Sequence, residues 1–376
     1  MRITLITGFL GAGKTTFLRR FISDHSAASR TGVIINDLSQ LEVDGELVRM
    51  SDLVSEKDGT LISIRAGSIS AERREDFLTS IKSMRASGIE HLIIETSGST
   101  EPRVVIGEIL AAEVGILHAV ATLVDARMLL HDYEGGQSLL AHLDDTPDTI
   151  TAESVLIEQL RVASAIIITK LDIIREDQLA PLLRSIQAIN PEAVLVGCAH
   201  GRIEPSIVLQ APPYRKEIET RSYETRKSDI DSIVIRDPRP LHPQRFFDLY
   251  QQRLGVGLFR SKGFIWFPSR SGQVLLWNQA GGAMGLEFLA TWRTHVLEND
   301  KRLLAEEMAH LRRQLEALNP LFGDRSCELT LIGHRHDLTI FSRELMDCFC
   351  TEDEIRHWQG GGSFPDPWPA NLKVMH

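Results

Sequence analysis

The octapeptide Gly8-Phe9-Leu10-Gly11-Ala12-Gly13-Lys14-Thr15 combines the residue types that phosphate chemistry needs. Its glycines allow backbone amides to turn inward, where phosphate oxygens can accept from them. Lys14 supplies a positive charge able to bridge β- and γ-phosphates, and the Thr15 hydroxyl is a hard oxygen donor suited to Mg²⁺. The spacing is G-x-x-x-x-G-K-[ST]. An apolar run feeds it and a helical pattern starts at its end, as this chemistry requires. A helix N-terminus at that point adds a dipole favourable to anions. Gly8, Gly11, Ala12, Gly13, Lys14, Thr15 and Thr16 are the expected phosphate-binding set, with Thr15 also a Mg²⁺ ligand. A chance Gly-rich turn is the competing reading, and the flanking pattern argues against it.

A second buried run, His91-Leu92-Ile93-Ile94-Glu95, ends in an acid and is followed by Thr96-Ser97-Gly98. Sites in parallel sheets gather at the carboxyl ends of strands, so Glu95 is expected near Thr15. There it would hold Mg²⁺ through water or orient the attacking water, and the Gly98 amide could approach the γ-phosphate. A strand-end acid capping the next helix is the plainer alternative. Asn36 and Asp37 end another strand, with Gln40 and Glu42 beyond, in the region that senses the γ-phosphate in P-loop switches. Lys14, Glu95 and Asp37 form the expected catalytic set; for the Asp37 region a plain polar loop is the alternative.

Thr169-Lys170-Leu171-Asp172 closes a further buried strand and matches the guanine-selecting pattern N/T-K-x-D. Asp172 can accept from the guanine N1–H and N2 amine, while the Lys170 stem packs on the base. Adenine lacks that donor pair and would leave a carboxylate unpaired, at a cost of ~1–3 kcal/mol. Cys198-Ala199-His200 follows the next strand and is a candidate loop lining the base.

These residues need a scaffold. Strands are expected at Ile3–Thr7, Val33–Asn36, His91–Glu95, His118–Val124, Ala165–Thr169 and Ala193–Gly197. Helices are expected at Thr16–His25, Arg73–Arg85, Val104–Ala112, Glu153–Ala163 and Glu176–Ala188. The alternation implies an α/β fold, a P-loop NTPase domain with a mainly parallel, doubly wound sheet. His131–Thr151 reads as a surface excursion. The expected order is a P-loop domain over 1–209, a Pro- and charge-rich linker over 210–229, a smaller α+β domain over 230–358 and an irregular tail over 359–376. The second domain should hold strands at Phe264–Phe267, Val274–Trp277 and Glu328–Ile332, with a long amphipathic helix near Asn299–Leu318.

The formal charge of −10 speaks against a general nucleic-acid binder, which needs clustered Lys and Arg. No run approaches the ~18–20 apolar residues that span a bilayer. The first strand begins almost at Met1, which leaves no room for a secretory leader, and four scattered cysteines do not form a disulfide framework. The expected compartment is the cytoplasm, with no nucleic-acid or membrane partner.

Together these elements resemble the CobW family of GTPases, a group of metallochaperones that includes nitrile hydratase activators. In the first domain the resemblance rests on Gly8–Thr16, Asn36–Asp44, Glu95-Thr96-Ser97-Gly98 with Pro102, Val124-Asp125-Ala126, Glu158-Gln159 and Thr169–Asp172. In the second it rests on Arg239-Pro240-Leu241-His242-Pro243, Arg260-Ser261-Lys262-Gly263, Trp277–Gly282 and Gly323-Asp324-Arg325. It implies GTP and Mg²⁺ as ligands, hydrolysis of GTP to GDP and phosphate, a CobW C-terminal domain and a client protein or metalloenzyme as partner. It also implies a G-C-x-C-C metal motif, but the matching stretch is Gly67-Ser68-Ile69-Ser70-Ala71. Serine hydroxyls are poor zinc ligands beside thiolates, and Asp37 and Gln40 leave one family carboxylate missing. No transition metal is expected at Ser68, Ser70 and Ala71, so zinc or cobalt as cargo is doubtful.

Elsewhere, His334-x-His336 and Cys348-x-Cys350 with His357 gather soft ligands, yet a strand ending at Gly333 and a helix over Glu344–Cys350 would point them apart. His242, before Pro243 at a helix start, reads as a packing or capping residue. The leading expectation is a slow GTP-hydrolysing switch. Its alternatives are a zinc or cobalt metallochaperone with an altered site and a nucleotide-dependent regulatory protein with negligible turnover. The sequence leaves the client and the oligomeric state open.

Overall fold

The computed structural model describes residues 1–25, 30–37, 61–65, 71–145, 149–198, 214, 227–253, 257–302, 304–315 and 318–374. They form two compact units, Met1–Ile230 and Asp231–His376.

The first unit begins β1 (Arg2–Thr7), α1 (Lys14–His25), β2 (Thr31–Asp37), β3 (Leu61–Arg65), α2 (Ala71–Ala86), β4 (His91–Glu95), α3 (Pro102–Ala111), β5 (Ile116–Asp125) and α4 (Ala126–Asp132). It continues α5 (Gln137–Ala141), β6 (Thr149–Ile150), α6 (Ala152–Val162), β7 (Ala165–Thr169), α7 (Glu176–Ile189), β8 (Val194–Gly197) and β9 (Lys227–Ser228). One sheet has the order β3-β2-β4-β1-β5-β7-β8, and each pairing in it is parallel. Its strands are nearly continuous apolar runs because both faces are covered. Ile3, Leu5, Ile34, Leu92 and Ile94 pack with Phe77, Ile81, Val105 and Ile106 of α2 and α3 on one face. The intervening Ile6, Val33, Ile35 and Ile93 pack with Phe17, Leu18 and Phe21 of α1 on the other. This is the doubly wound α/β arrangement that the alternation of runs implies.

The structure departs from expectation in places. β3 was not anticipated; it forms one edge of this sheet and pairs in parallel with β2. The stretch expected as a surface excursion is partly folded in: Gly135, Gly136 and Leu139 are buried. Gln137 Nε2 donates to Ser185 Oγ of α7 across 2.8 Å, which holds this segment against that helix. Of the expected linker, the Tyr214 amide donates to the His118 carbonyl at 2.9 Å, and β9 pairs in parallel with β6; residues 210–213 and 215–226 lie outside the described set.

The second unit contains β10 (Ile230–Asp237), α8 (Pro243–Arg253), β11 (Leu258–Ile265), β12 (Gln273–Ala280), β13 (Ala283–Thr291), α9 (Arg293–Asn299) and α10 (Ala305–Leu315). β14 (Cys327–His334), α11 (Arg335–Met346), α12 (Glu352–Gln359) and β15 (Lys373–Val374) follow. Its sheet has the order β10-β14-β11-β12-β13-β15. β11 runs antiparallel to β12 and β14, and β12 antiparallel to β13. An aromatic core fills it, with Phe246 and Tyr250 of α8 at 5.0 and 4.4 Å from Trp277. The Ser261 hydroxyl satisfies two of these rings, accepting from Tyr250 at 2.8 Å and Trp277 Nε1 at 2.7 Å.

The long helix expected near Asn299–Leu318 is realised only as the shorter α10, with α9 ending where the expected helix was to begin. Asp300 accepts from the Arg302 amide at 3.0 Å, a turn that competes with helix and ends α9. The segment expected as an irregular tail is anchored. Trp368 is buried and its Nε1 donates to the Pro243 carbonyl at 3.2 Å. Arg270 grips Asp366 and the carbonyls of Trp368 and Pro369, and β15 then joins β13 in parallel. Among the described residues no helix is long and apolar enough to cross a membrane.

Candidate functional site

The carboxyl ends of β1, β4, β5 and β7 lie side by side, and the singled-out motifs follow three of them. After β1 the loop turns through Gly8 at φ +136°, Gly11 at +79° and Gly13 at +93°, all in the region that favours glycine. At Gly8 a second constraint applies, since a Cβ there would stand 2.2 Å from the Leu123 carbonyl oxygen. The Ala12 amide donates to the Phe9 carbonyl at 3.2 Å, closing the loop, and Phe17 N to Gly13 O at 2.9 Å starts the helical ladder. Lys14 is buried. Its Nζ donates to the Gly8 and Phe9 carbonyls at 2.7 and 3.2 Å, so the ammonium lies over the loop. Thr16 is exposed on the first turn of α1.

The Thr15 hydroxyl donates to Glu95 Oε1 at 3.1 Å, joining residues eighty positions apart. Glu95 is 5% exposed at the end of β4, so a carboxylate and a hydroxyl meet beside the start of α1. Thr96 fixes the next step, its hydroxyl donating to Thr7 Oγ1 at 3.0 Å and its amide to Ile6 O at 2.9 Å. Gly98 packs on the phosphate loop itself, because a Cβ there would come within 2.7 Å of the Leu10 nitrogen. Asp37 ends β2, whose Ile35 pairs in register with Glu95; Gln40 and Glu42 lie outside the described residues.

At the end of β7 the Thr169 hydroxyl donates to the Ala12 carbonyl at 2.9 Å and the Val124 carbonyl at 3.2 Å. Lys170 adopts φ +60°, ψ 32°, and its ammonium pairs with Asp125 at the end of β5. Asp125 also caps α4, accepting from Arg127 N and Met128 N at 2.9 and 3.3 Å. Asp172 is exposed one turn on. Cys198, expected near the base, is 1% exposed and belongs to the core cluster with Phe17 and Phe21; Ala199 and His200 lie outside the described residues. Two residues quoted only for the family resemblance prove to be structural partners of the site, Asp125 and Gln159. Both are polar residues beside buried apolar runs, which was the one sign the sequence carried.

The soft ligands of the second unit do not assemble. Burial pushes the thiols of Cys327, Cys348 and Cys350 up to about 12, so they are poor thiolates. Among the described residues no group of three or more His, Cys, Asp or Glu is disposed to hold a metal ion. Ser68 and Ser70 lie outside the described residues, and Ala71 opens α2. His242 Nδ1 accepts from the Arg245 amide at 3.4 Å, a cap at the start of α8.

Comparison with known proteins agrees with this anatomy. Residues 2–196 match the CobW/HypB/UreG nucleotide-binding domain, and residues 230–349 match the cobalamin synthesis protein cobW C-terminal domain. The chain is 26% identical over 390 residues to the zinc-regulated GTPase metalloprotein activator 1 of Dictyostelium discoideum, covering 94% of this chain and 80% of that protein. It is 28% identical over 306 residues to the zinc chaperone CobW of Sinorhizobium sp, covering 74% and 85%. To the zinc chaperone YjiA of Escherichia coli K12 it is 25% identical over 292 residues, covering 73% and 84%. A P-loop sheet followed by this antiparallel unit, matched by both family models in order, makes the chain a member of the CobW family of P-loop GTPases.

Proposed function

We propose that the chain binds GTP with Mg²⁺ at the start of α1, hydrolyses it slowly, and uses its nucleotide state to govern contact with a client protein. The observation that carries this reading is the meeting of Thr15 and Glu95 beside a loop built of left-handed glycines, with Lys14 folded over it. The amides of Gly8, Gly11, Ala12, Gly13, Lys14, Thr15 and Thr16 receive the phosphates. Lys14 exchanges two carbonyls for phosphate oxygens, and its charge counters that which grows on the β–γ bridge.

A hydroxyl and a buried carboxylate 3.1 Å apart are hard oxygen donors, the kind Mg²⁺ takes. Thr15 would hold the ion directly and Glu95 directly or through water; when bound, it neutralises charge on the phosphates. Asp37, which ends β2, and Glu95 are assigned to the γ-phosphate side, together with the Gly98 amide. On the base side Asp172 accepts from guanine, Lys170 packs on the ring, and Thr169 braces the strand end.

The client is inferred from relatives named as zinc chaperones and as a metalloprotein activator. For transition metals the donor chemistry of Ser68, Ser70 and Ala71 does not fit, and we read the metal cargo as lost at that position. Metal analysis of purified protein tests this, since one tightly held zinc per chain would overturn it. For hydrolysis, GTP and ATP turnover should be measured on wild-type protein and on Lys14→Ala. The variant should lose hydrolysis by about a hundredfold or more, and wild-type turnover in the variant would refute the site.

A further inference from the structure

Glu158 and Gln159 sit on α6 behind the loop that follows β4. Gln159 is fully buried. Its amide donates to the carbonyls of Gly98 at 3.0 Å and Thr100 at 3.3 Å. Its own backbone carbonyl accepts from the Thr122 hydroxyl of β5 at 2.7 Å, which ties this turn of α6 to the sheet. One residue earlier, Glu158 Oε1 accepts from the Arg103 amide at 3.0 Å, and the charge of Glu101 disfavours ionisation of the same carboxyl. Two adjacent residues thus hold the chain from Gly98 to Arg103. On its other side Gly98 lies so close to Leu10 that no Cβ fits. The segment is clasped between α6 and the phosphate loop.

Burial, more than anything else, pushes Glu158 up to about 7; the charge of Glu101 adds to this, while the amide and charge of Arg103 oppose it. Glu101 and Arg103, both at the start of α3, are the charged groups that bear on Glu158.

We propose that Glu158 and Gln159 are positioning residues for nucleotide hydrolysis, fixing where the Gly98–Arg103 segment meets the γ-phosphate. The proposal rests on the GTPase reading above. Gln159 holds the carbonyls of Gly98 and Thr100, which sets the peptide planes between them. Glu158, protonated below about 7, holds the start of α3 against α6 through the Arg103 amide. Loss of that proton sets the charge of half-buried Glu158 against buried Glu101, which loosens the start of α3 from α6 and draws Gly98 off the phosphate loop. GTP turnover should therefore fall as pH rises through about 7. GDP affinity should stay constant, because the diphosphate lies on the loop after β1.

The test compares full-length wild type, Gln159→Met and Glu158→Gln. In Gln159→Met the side chain keeps its bulk but loses both donations, and kcat should drop about tenfold or more with GDP affinity unchanged. In Glu158→Gln the side chain can still accept from Arg103 but cannot ionise, so the pH dependence of kcat should flatten between 6 and 8 while turnover at the acid end is kept. Wild-type kcat in Gln159→Met, or an unchanged pH profile in Glu158→Gln, overturns the proposal. Should Gln159→Met fail to bind GDP and so prove misfolded, the Glu158→Gln profile alone decides. A wild-type protein that binds no guanine nucleotide defeats the GTPase reading instead, and the GDP titration separates the two failures.

Discussion

The Thr169 hydroxyl donates to the carbonyl of Ala12 across 2.9 Å, so the strand end that carries the base-side motif also braces the phosphate loop. A near-isosteric Thr169→Val replacement strips the one hydroxyl donor that the Ala12 and Val124 carbonyls share. We expect a stability loss of about 1–2 kcal/mol and a several-fold weaker GDP affinity. Denaturant unfolding and titration with a fluorescent GDP analogue read the two effects. If both are unchanged, the brace has no energetic weight.

Asp172 stands exposed after the left-handed turn at Lys170. Asp172→Asn should erode the preference for GTP over ATP and raise affinity for xanthosine triphosphate, since an amide can donate to the xanthine carbonyl where a carboxylate cannot. The loss of GTP affinity should be on the order of 1–3 kcal/mol. Equal binding of GTP and ATP by wild-type protein would sink the guanine assignment.

In the second unit Arg245 grips Glu354 with both terminal nitrogens, at 2.6 and 2.8 Å. That pairing holds the Glu354 carboxyl at about 2, below its ordinary 4.5. Its contribution to stability is therefore complete above about 4.5 and lost as pH falls through about 2. Glu354→Gln should cost roughly 1 kcal/mol at neutral pH, and the gap between variant and wild type should close in acid. A gap that persists unchanged at pH 2 would show that the carboxylate charge is not its source.

Gly107 occupies the middle of α3, and a Cβ added there meets nothing within 4 Å. Gly107→Ala should raise stability by about 0.5–1 kcal/mol, through helix propensity and a narrower unfolded ensemble. A lowered melting temperature would mean that the apparent room is not usable.

Much of the first unit could be read from its residues because buried parallel strands are continuous apolar runs with chemistry-bearing residues at their ends. His91–Glu95 and Ala165–Thr169 fall where the runs put them. The reach of Gln159 could not be read. A glutamine between buried Ile157 and Leu160 carries no mark of the loop sixty positions earlier that it holds. Cys198 misled for the opposite reason: its place after a strand suggested the base, while its amide still donates to Ile168 O along β7 and its side chain packs into the core. The anchoring of Trp368 was hidden by the prolines around it, which signal irregular backbone but say nothing of what a side chain packs on.

Between β1 and β5 the chains approach as closely as a hydrogen atom allows, with Leu123 O only 2.2 Å from where a Gly8 Cβ would stand. Exchanging glycine for alanine ordinarily narrows the denatured ensemble and gains stability. At Gly8 that route is closed twice over, by the strand spacing and by φ +136°. The nucleotide loop thus keeps a fixed entropic handicap that no side chain can relieve in place. Heat tolerance has to be gathered elsewhere, at sites such as Gly107, and a selection for hardier forms is expected to leave the loop untouched while changes accumulate in the surrounding helices.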